Sequence, residues 1–274
     1  MTCKSANPYV PVASSLIEVI DETPTIKTMV VRPAEPLEFQ AGQFVQLGLL
    51  GIGEAPFTPS SSPLEKERLE ITVLKTGVLT DRLHECTAGD VVGLRGPFGK
   101  GYPIEKLAGK EVLVVGGGVG LAPLRALILA LLDNMDPIKR MSIKYGARTM
   151  EELLYRSQYD AWTKHPKVDM DVTIDFPQEG WSGRTGVVTT LLKGVDVDKS
   201  NSYAFVCGPA IMLRFTTFAL LEEGFKPEQI YLSMNRRMSC GMGLCGRCNI
   251  GKYYLCKDGP DMNYALIKDA PNVF

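Results

Sequence analysis

Four of the seven cysteines stand in one stretch, Arg236 to Cys256, which reads RRMSCGMGLCGRCNIGKYYLC. Cys240, Cys245, Cys248 and Cys256 are spaced C-x4-C-x2-C-x7-C. Thiolates are soft ligands for zinc and for iron clusters, and Gly241, Gly243 and Gly246 suit a loop that wraps closely around an object, because glycine accepts positive φ. The C-x4-C-x2-C portion matches the plant-type [2Fe-2S] spacing, in which all four ligands are thiolates. A structural zinc site is the rival, since it also accepts four cysteines, but its usual pattern is two C-x2-4-C knuckles set well apart. Arg236, Arg237, Arg247, Lys252 and Lys257 surround the thiols, and no acidic residue stands between Met234 and Lys257. Two readings stay open: a solvated basic face, or a positive field that favours a reduced cluster and docks an electron-carrying partner.

A cluster moves electrons singly, so a source of electrons is needed. The stretch EVLVVGGGVGLAPLRALILALL, Glu111 to Leu132, predicts a short apolar strand over 112–115. Glycines at 116, 117, 118 and 120 follow, then a helix with Pro123 in its first turn, where proline is tolerated. Glycines between a strand and a helix let a phosphate reach backbone N–H groups at the positive end of the helix dipole. The pattern departs from G-x-G-x-x-G at Leu121, and the next strand ends in Tyr145-Gly146-Ala147-Arg148 rather than in an acid for a ribose hydroxyl. A further strand ends in Cys207-Gly208-Pro209 before another amphipathic helix. Alternating strands and helices predict a doubly wound parallel sheet, with all three loops meeting at the carboxyl ends of its strands.

Residues 1–105 differ: short β-rich stretches between Pro and Gly turns predict an antiparallel β-barrel of about six strands, with one possible helix at Thr80 to Glu85. The whole is therefore expected as a β-barrel (1–105), an α/β nucleotide domain (106–232) and a small cysteine segment (233–274). With 45% hydrophobic residues, 22% charged residues and a net charge of −1, nothing points to nucleic acid or a membrane surface. The longest apolar run, Ala126 to Leu132, is too short to span a bilayer, and the first residues lack the basic start and apolar run of a signal peptide. A cytoplasmic protein is expected, where clustered thiols hold metal rather than form disulfides.

This order of parts resembles the ferredoxin reductase-like flavoproteins. Within them it is similar to the branch that contains the gamma subunits of soluble nickel-iron hydrogenases, the corresponding subunit of anaerobic sulfite reductase and the electron transfer subunit of dihydroorotate dehydrogenase. The resemblance covers essentially the whole chain. It rests on GEAP (Gly53 to Pro56), GLRGPFGKGYP (Gly93 to Pro103), VVGGGVGLAPLR (Val114 to Arg125), YGAR, CGP, RRMSCGMGLCGRC and the CKDGP that ends it. The opening NPYVPVASSLIEVIDETPTIKT is most similar to the hydrogenase member.

The resemblance implies that Pro56, Phe57, Thr58 and Ser61 line an FAD and that Gly77 and Thr80 form the turn that receives its diphosphate. Where most relatives carry an arginine for the phosphates this chain has Ala55 after Glu54, which leaves Lys75 as a candidate to neutralise them. It implies further that Gly116, Gly117, Gly118 and Gly120 receive the diphosphate of NAD(P)H, that Cys207, Gly208 and Pro209 flank its nicotinamide, and that the four clustered cysteines hold a [2Fe-2S] cluster. For Cys207 the plain alternative is a small buried thiol, and Cys3 and Cys86 match nothing. Arg148 stands where a 2′-phosphate of NADP(H) would be read, though it could equally cap a helix or pair with Glu151 or Glu152.

Nicotinamide exchanges a hydride, an iron-sulfur cluster takes one electron, and a flavin can do both. No general base is needed, in keeping with a chain whose only histidines are His84 and His165. The expectation is an electron transfer subunit that links NAD(P)H, FAD and a [2Fe-2S] cluster to other redox subunits, of a hydrogenase type first, or to ferredoxin as a stand-alone reductase. A zinc-stabilised nucleotide sensor is the reading from another class.

Overall fold

The computed structural model describes residues 7–274, so Cys3 lies outside it. Six antiparallel strands make the first sheet: β1 (Val12–Thr23), β2 (Ile26–Arg32), β3 (Phe44–Leu49), β4 (Gly53–Phe57), β5 (Leu69–Leu74) and, after helix α1 (Val78–Glu85), β6 (Val91–Phe98). Their order is β4-β3-β6-β1-β2-β5, so the expected antiparallel barrel is present as a six-stranded, barrel-like sheet whose end strands are not hydrogen-bonded to each other. Alternation builds its inside, with Leu16, Met29, Val31, Leu47, Ile71 and Leu94 in one core. α1 closes over this core through Leu83, which is fully buried. It begins two residues earlier than the sequence suggests, because the Thr80 hydroxyl accepts the Gly77 N–H at 2.9 Å and locks the first turn from outside the apolar pattern.

The second sheet is built from β7 (Glu111–Gly117), α2 (Leu121–Leu132), β8 (Arg140–Ala147), α3 (Tyr159–Thr163), β9 (Val168–Ile174), β10 (Arg184–Thr185), β11 (Ser202–Cys207), α4 (Ala210–Glu222) and β12 (Ile230–Ser233). These strands are parallel, and β7 has β8 on one side and β11 on the other. The winding therefore reverses between β7 and β11, and a crevice opens there at the carboxyl ends. Val112 to Val115 are fully buried because helices cover both faces of the strand.

The cysteine segment is more than an appended loop. Past a small hairpin, β13 (Asn249–Ile250) with β14 (Tyr253–Tyr254), and helix α5 (Leu255–Asp258), strand β15 (Asp261–Asn263) joins β12 antiparallel, and α6 (Tyr264–Ile267) follows. The sheet thus runs β10-β9-β8-β7-β11-β12-β15 and is mixed at one edge, where the sequence pattern predicts parallel strands only. Three residues are too few to carry a periodic signal. Cys248, Ile250, Leu255 and Cys256 share a core with Leu113 and Val115 of β7.

Two buried arginines join the parts. Arg125 on α2 pairs with Glu70 of β5 at 2.5 Å, donates to the Ser60 carbonyl at 2.8 Å and to Gln158 at 2.9 Å, and stacks on the Tyr155 ring. The Tyr155 hydroxyl in turn meets Thr72 of β5 at 2.6 Å. Arg95 on β6 pairs with Glu54 and reaches the carbonyls of Ser239 (3.3 Å) and Cys240 (3.4 Å) in the cysteine loop. Next to it the Gln46 side-chain amide donates to the Met238 carbonyl. Breaking one side of a buried ion pair strands the other charge, at a cost of about 3–5 kcal/mol. Arg125→Met is therefore expected to lower unfolding stability by about 3 kcal/mol in a denaturant titration, and Arg125→Met with Glu70→Gln to recover part of it. A double variant no better than the single one would show that the two side chains are not coupled.

Candidate functional site

A cleft of about 1740 Å³ opens between the two sheets at the carboxyl edge. That exceeds the roughly 300–1,000 Å³ of a single small-ligand pocket. Its barrel wall is β4, with Ala55, Pro56 and Phe57, then Thr58, and the start of α1, with Thr76 and Thr80. Its other wall is the set of strand-end loops, which bring Gly117, Gly118 and Gly120 together with Arg148 and with Cys207, Gly208 and Pro209.

Other expected residues stand off the cleft wall. Ser61 is buried and its hydroxyl accepts the Glu70 N–H at 3.1 Å, so it braces β5. Lys75 is exposed and is not part of the cleft wall, Gly77 caps α1 just behind it, and Gly116 is packed between Tyr145 and Leu121. Glu54 is engaged by Arg95. Of the cations that the sequence offers for a phosphate, Arg148 lines the cleft and Lys75 does not; the walls also hold Lys193, Arg236 and Arg237, which the sequence does not assign to a phosphate. No carboxylate forms an ion pair with Arg148 among the described residues, and the cleft there also carries Glu152 and Asp175.

The glycine loops form a backbone cradle. A Cβ on Gly120 would collide with the Cys207 carbonyl, and Gly118 has φ +54°. Bare N–H groups at such a turn, ahead of α2, suit a phosphate. The space between Gly117 and Gly208 is filled by the thioether of Met212 on α4, which a Cβ on either glycine would strike. Met212 escapes sequence reading because a methionine in an apolar helix looks like any core residue, yet its flexible thioether is the part of this wall most able to yield to a ligand. Cys207 is 8% exposed, and burial pushes its thiol up to about 12, so it is a neutral group on the cleft wall.

In the cysteine loop Cys240, Cys248 and Cys256 are buried and Cys245 is exposed. Gly241, Gly243 and Gly246 all have positive φ, and a Cβ on Gly241 would strike the Phe98 ring. The Met242 and Leu244 N–H groups donate to Cys240 Sγ at 3.4 and 3.3 Å, and the Gly243 N–H to Cys256 Sγ at 3.0 Å. Burial raises the Cys240 thiol, but donation from Met242, Cys245 and Leu244 outweighs it and brings the group down to about 6. Burial and the neighbouring Cys248, 3.3 Å away, push Cys256 up. Among the described residues no three Cys, His, Asp or Glu side chains group around one point as a single ion would require. An all-thiol donor set with N–H groups aimed at sulfur fits an iron-sulfur cluster, which Cys240, Cys245, Cys248 and Cys256 would hold.

Cleft and loop are contiguous. Met238 lines the cleft two residues before Cys240, and Phe44, also on the cleft, lies 5.6 Å from the Phe98 ring that supports Gly241. Of the basic residues, Arg236 donates to the Asn272 and Val273 carbonyls and anchors the C-terminal turn, whereas Arg237 and Arg247 are exposed. Lys252 stacks on Tyr253.

Three family models match the chain in the order of these parts: the oxidoreductase FAD-binding domain over residues 14–102, the oxidoreductase NAD-binding domain over 114–217, and the iron-sulfur cluster binding domain of dihydroorotate dehydrogenase B over 235–268. The chain is 33% identical to the sulfhydrogenase 2 subunit gamma of Pyrococcus furiosus, over 94% of this chain and 96% of that one. It is 34% identical to a probable dihydroorotate dehydrogenase B electron transfer subunit of Methanocaldococcus jannaschii, over 91% and 88%. Among solved structures it superposes on an NADH-dependent reduced ferredoxin-NADP oxidoreductase with a TM-score of 0.75, at 25% identity, over 93% of this chain and 91% of that one. With cleft, cradle and thiol loop in the same order as the matched models, the chain belongs to the ferredoxin reductase-like family of FAD- and NAD-binding, iron-sulfur electron transfer subunits.

Proposed function

We propose that this chain passes electrons between NAD(P)H, FAD and a [2Fe-2S] cluster and exchanges them with another redox subunit, of the nickel-iron hydrogenase type. The observation that carries this reading is the contiguity of cleft and loop: Met238 belongs to both. FAD and NAD(P)H would supply hydride exchange, and the cluster single-electron transfer. The chain's residues do the positioning. Pro56, Phe57 and Thr58 form the barrel wall for the flavin, and Thr80 holds the turn at the start of α1 for its diphosphate. Gly117, Gly118 and Gly120 hold the nucleotide diphosphate, with Cys207, Gly208 and Pro209 beside the nicotinamide. The phenyl rings of Phe44 and Phe98 and the covalent run from Met238 to Cys240 would bridge the cleft and the cysteine loop. The division of labour follows the three proposed units, 1–105, 106–232 and 233–274.

Exposure of Cys245 beside Leu244, which is 71% exposed, supports an electron exit on this face, and exposed Arg237 and Arg247 supply positive charge around it. The hydrogenase-type partner is favoured over a dihydroorotate dehydrogenase by similarity over 96% of the sulfhydrogenase chain, against 88% of the dihydroorotate dehydrogenase subunit. No helix among the described residues is long and apolar enough to cross a membrane, in keeping with a cytoplasmic complex.

Three outcomes test this reading. Purified aerobically with its cofactors, the chain should contain one FAD and one two-iron cluster, and Cys245→Ser should lose acid-labile sulfide while keeping NAD(P)H-dependent dye reduction. Zinc in place of iron, or unchanged sulfide in the variant, would overturn the ligand set. For nucleotide choice, Arg148→Ala should cut kcat/KM for NADPH by about tenfold and leave NADH nearly unchanged, the size of one lost charge-assisted contact; an unmoved ratio means that Arg148 does not read the phosphate. Arg247→Glu should leave reduction of the flavin and cluster intact and weaken copurification with the partner, whereas retention of the partner together with a shifted cluster potential would assign this arginine to tuning alone. Arg236 and Arg237 are left out of that variant because both line the cleft and Arg236 also anchors the C-terminal turn.

A further inference from the structure

Beneath the cleft floor lies a polar cluster that electron transfer does not use. β15 opens with Asp261, whose register partner on β12 is Ser233. Ser233, across the strand pair, and Pro260, next along the chain, both line the cleft, as does Cys207, whose thiol feels the charge of Asp261. Neither carboxylate oxygen of Asp261, both buried, meets a partner at full hydrogen-bond distance, and neither does the buried Tyr102 hydroxyl, although the Tyr102 and Ser233 hydroxyls stand close enough to the carboxylate to favour its charged form in part. Gly42 makes the room: it has φ +94°, and a Cβ there would stand 2.7 Å from Asp261 Oδ2 and 2.9 Å from the Tyr102 ring. Tyr102 comes from the segment after β6, Cys207 from the end of β11 and Ser233 from β12. Lys100, whose backbone bridges to Pro260, carries its ammonium out to the rim, 3.9 Å from Asp258.

Only one member of the cluster changes charge near neutrality. Burial holds the Cys207 thiol up at about 12 and the Tyr102 phenol well above its usual range. Burial also raises the Asp261 carboxyl to about 7, with the nearby Ser233 and Tyr102 hydroxyls offsetting part of the effect. A buried carboxylate without a cation favours its neutral form, and an arriving positive charge reverses that preference. The cleft is where such a charge can arrive, because an oxidised nicotinamide ring is a cation and a reduced one is neutral.

We propose that Asp261 is a proton-linked counter-ion for the oxidised nicotinamide: it carries a proton while the ring beside Cys207 is absent or neutral, and releases it to solvent when the cationic ring binds. This rests on the reading of the Cys207 loop as the nicotinamide site. One proton leaves as one positive charge enters; no bond to the nucleotide forms and no electron moves. The sign follows: the oxidised nucleotide binds more tightly as pH rises through about 7, and a neutral-ring nucleotide does not.

The test uses the full chain with oxidised flavin and cluster, and calorimetric titration with NAD+ and NADP+ and with their non-reducing 1,4,5,6-tetrahydro analogues. For the oxidised nucleotide that binds, Kd should fall about fivefold between about pH 6 and 8.5, as a shift of about one pKa unit requires. At pH 7 the binding heat should differ between phosphate and Tris buffers by the ionisation heat of a fraction of a proton released. The tetrahydro analogue should show neither effect, and Asp261→Asn should abolish both. A flat Kd with no proton release in the wild type, or an Asp261→Asn variant that keeps the slope, would overturn the proposal and leave the nicotinamide site standing. Failure of every nucleotide to bind would remove the site reading and the proposal together. Should the variant fail to fold, the buffer comparison on the wild type decides.

Discussion

The ion pair between Arg125 and Glu70 crosses the boundary between the two sheets and is sealed from water by Tyr155 and Ser60. Because a stranded charge at this place would be costly, the two walls of the cleft keep one relative position. That matters more here than in a protein that closes on its substrate. Hydride and electron transfer both decay steeply with distance, so groups bound on opposite walls react only if the walls do not drift. Arg95 applies the same device to the third part, with its guanidinium shared between Glu54 and the carbonyls of Ser239 and Cys240. The barrel is thereby the frame to which both other parts are fastened.

Within that frame the working surfaces are mostly backbone. Gly118 presents its backbone at positive φ and Gly120 where a side chain would collide, and the cysteine loop turns its own N–H groups onto sulfur. Such dipoles are fixed by the fold and need no reorganisation when charge arrives. Three buried ionisable groups, Arg95, Arg125 and Asp261, sit at junctions between parts.

What could be read in the sequence was local. The cysteine spacing, the glycines after β7 and the Cys207-Gly208-Pro209 turn each lie within one short loop, so their chemistry shows in consecutive residues. Arg95 is invisible in this way, since its partner Cys240 lies 145 positions along the chain. Arg125 falls inside an apolar helix and looks like an interruption of it. Asp261 gives no pattern, because what defines it is burial beside Tyr102 and Ser233, which lie far from it in the sequence. The resemblance to related flavoproteins assigns Ser61 and Lys75 to the flavin; in the fold Ser61 braces β5 and Lys75 stands in solvent, neither on the cleft wall. The six-stranded first sheet and the wound second sheet were legible from alternation and from strand–helix succession; the edge strand β15 was not, because it is three residues long.

The cysteine loop is pinned on both sides, by Gln46 and Arg95 before Cys240 and by the pairing of β15 with β12 after Cys256. Its buried thiols share a core with β7 and β11 rather than depending on metal for their only contacts. This separates it from small zinc modules, which unfold when the ion is removed. A loop held in this way takes its shape from the chain around it, and of its four thiols Cys245 is the corner that faces solvent.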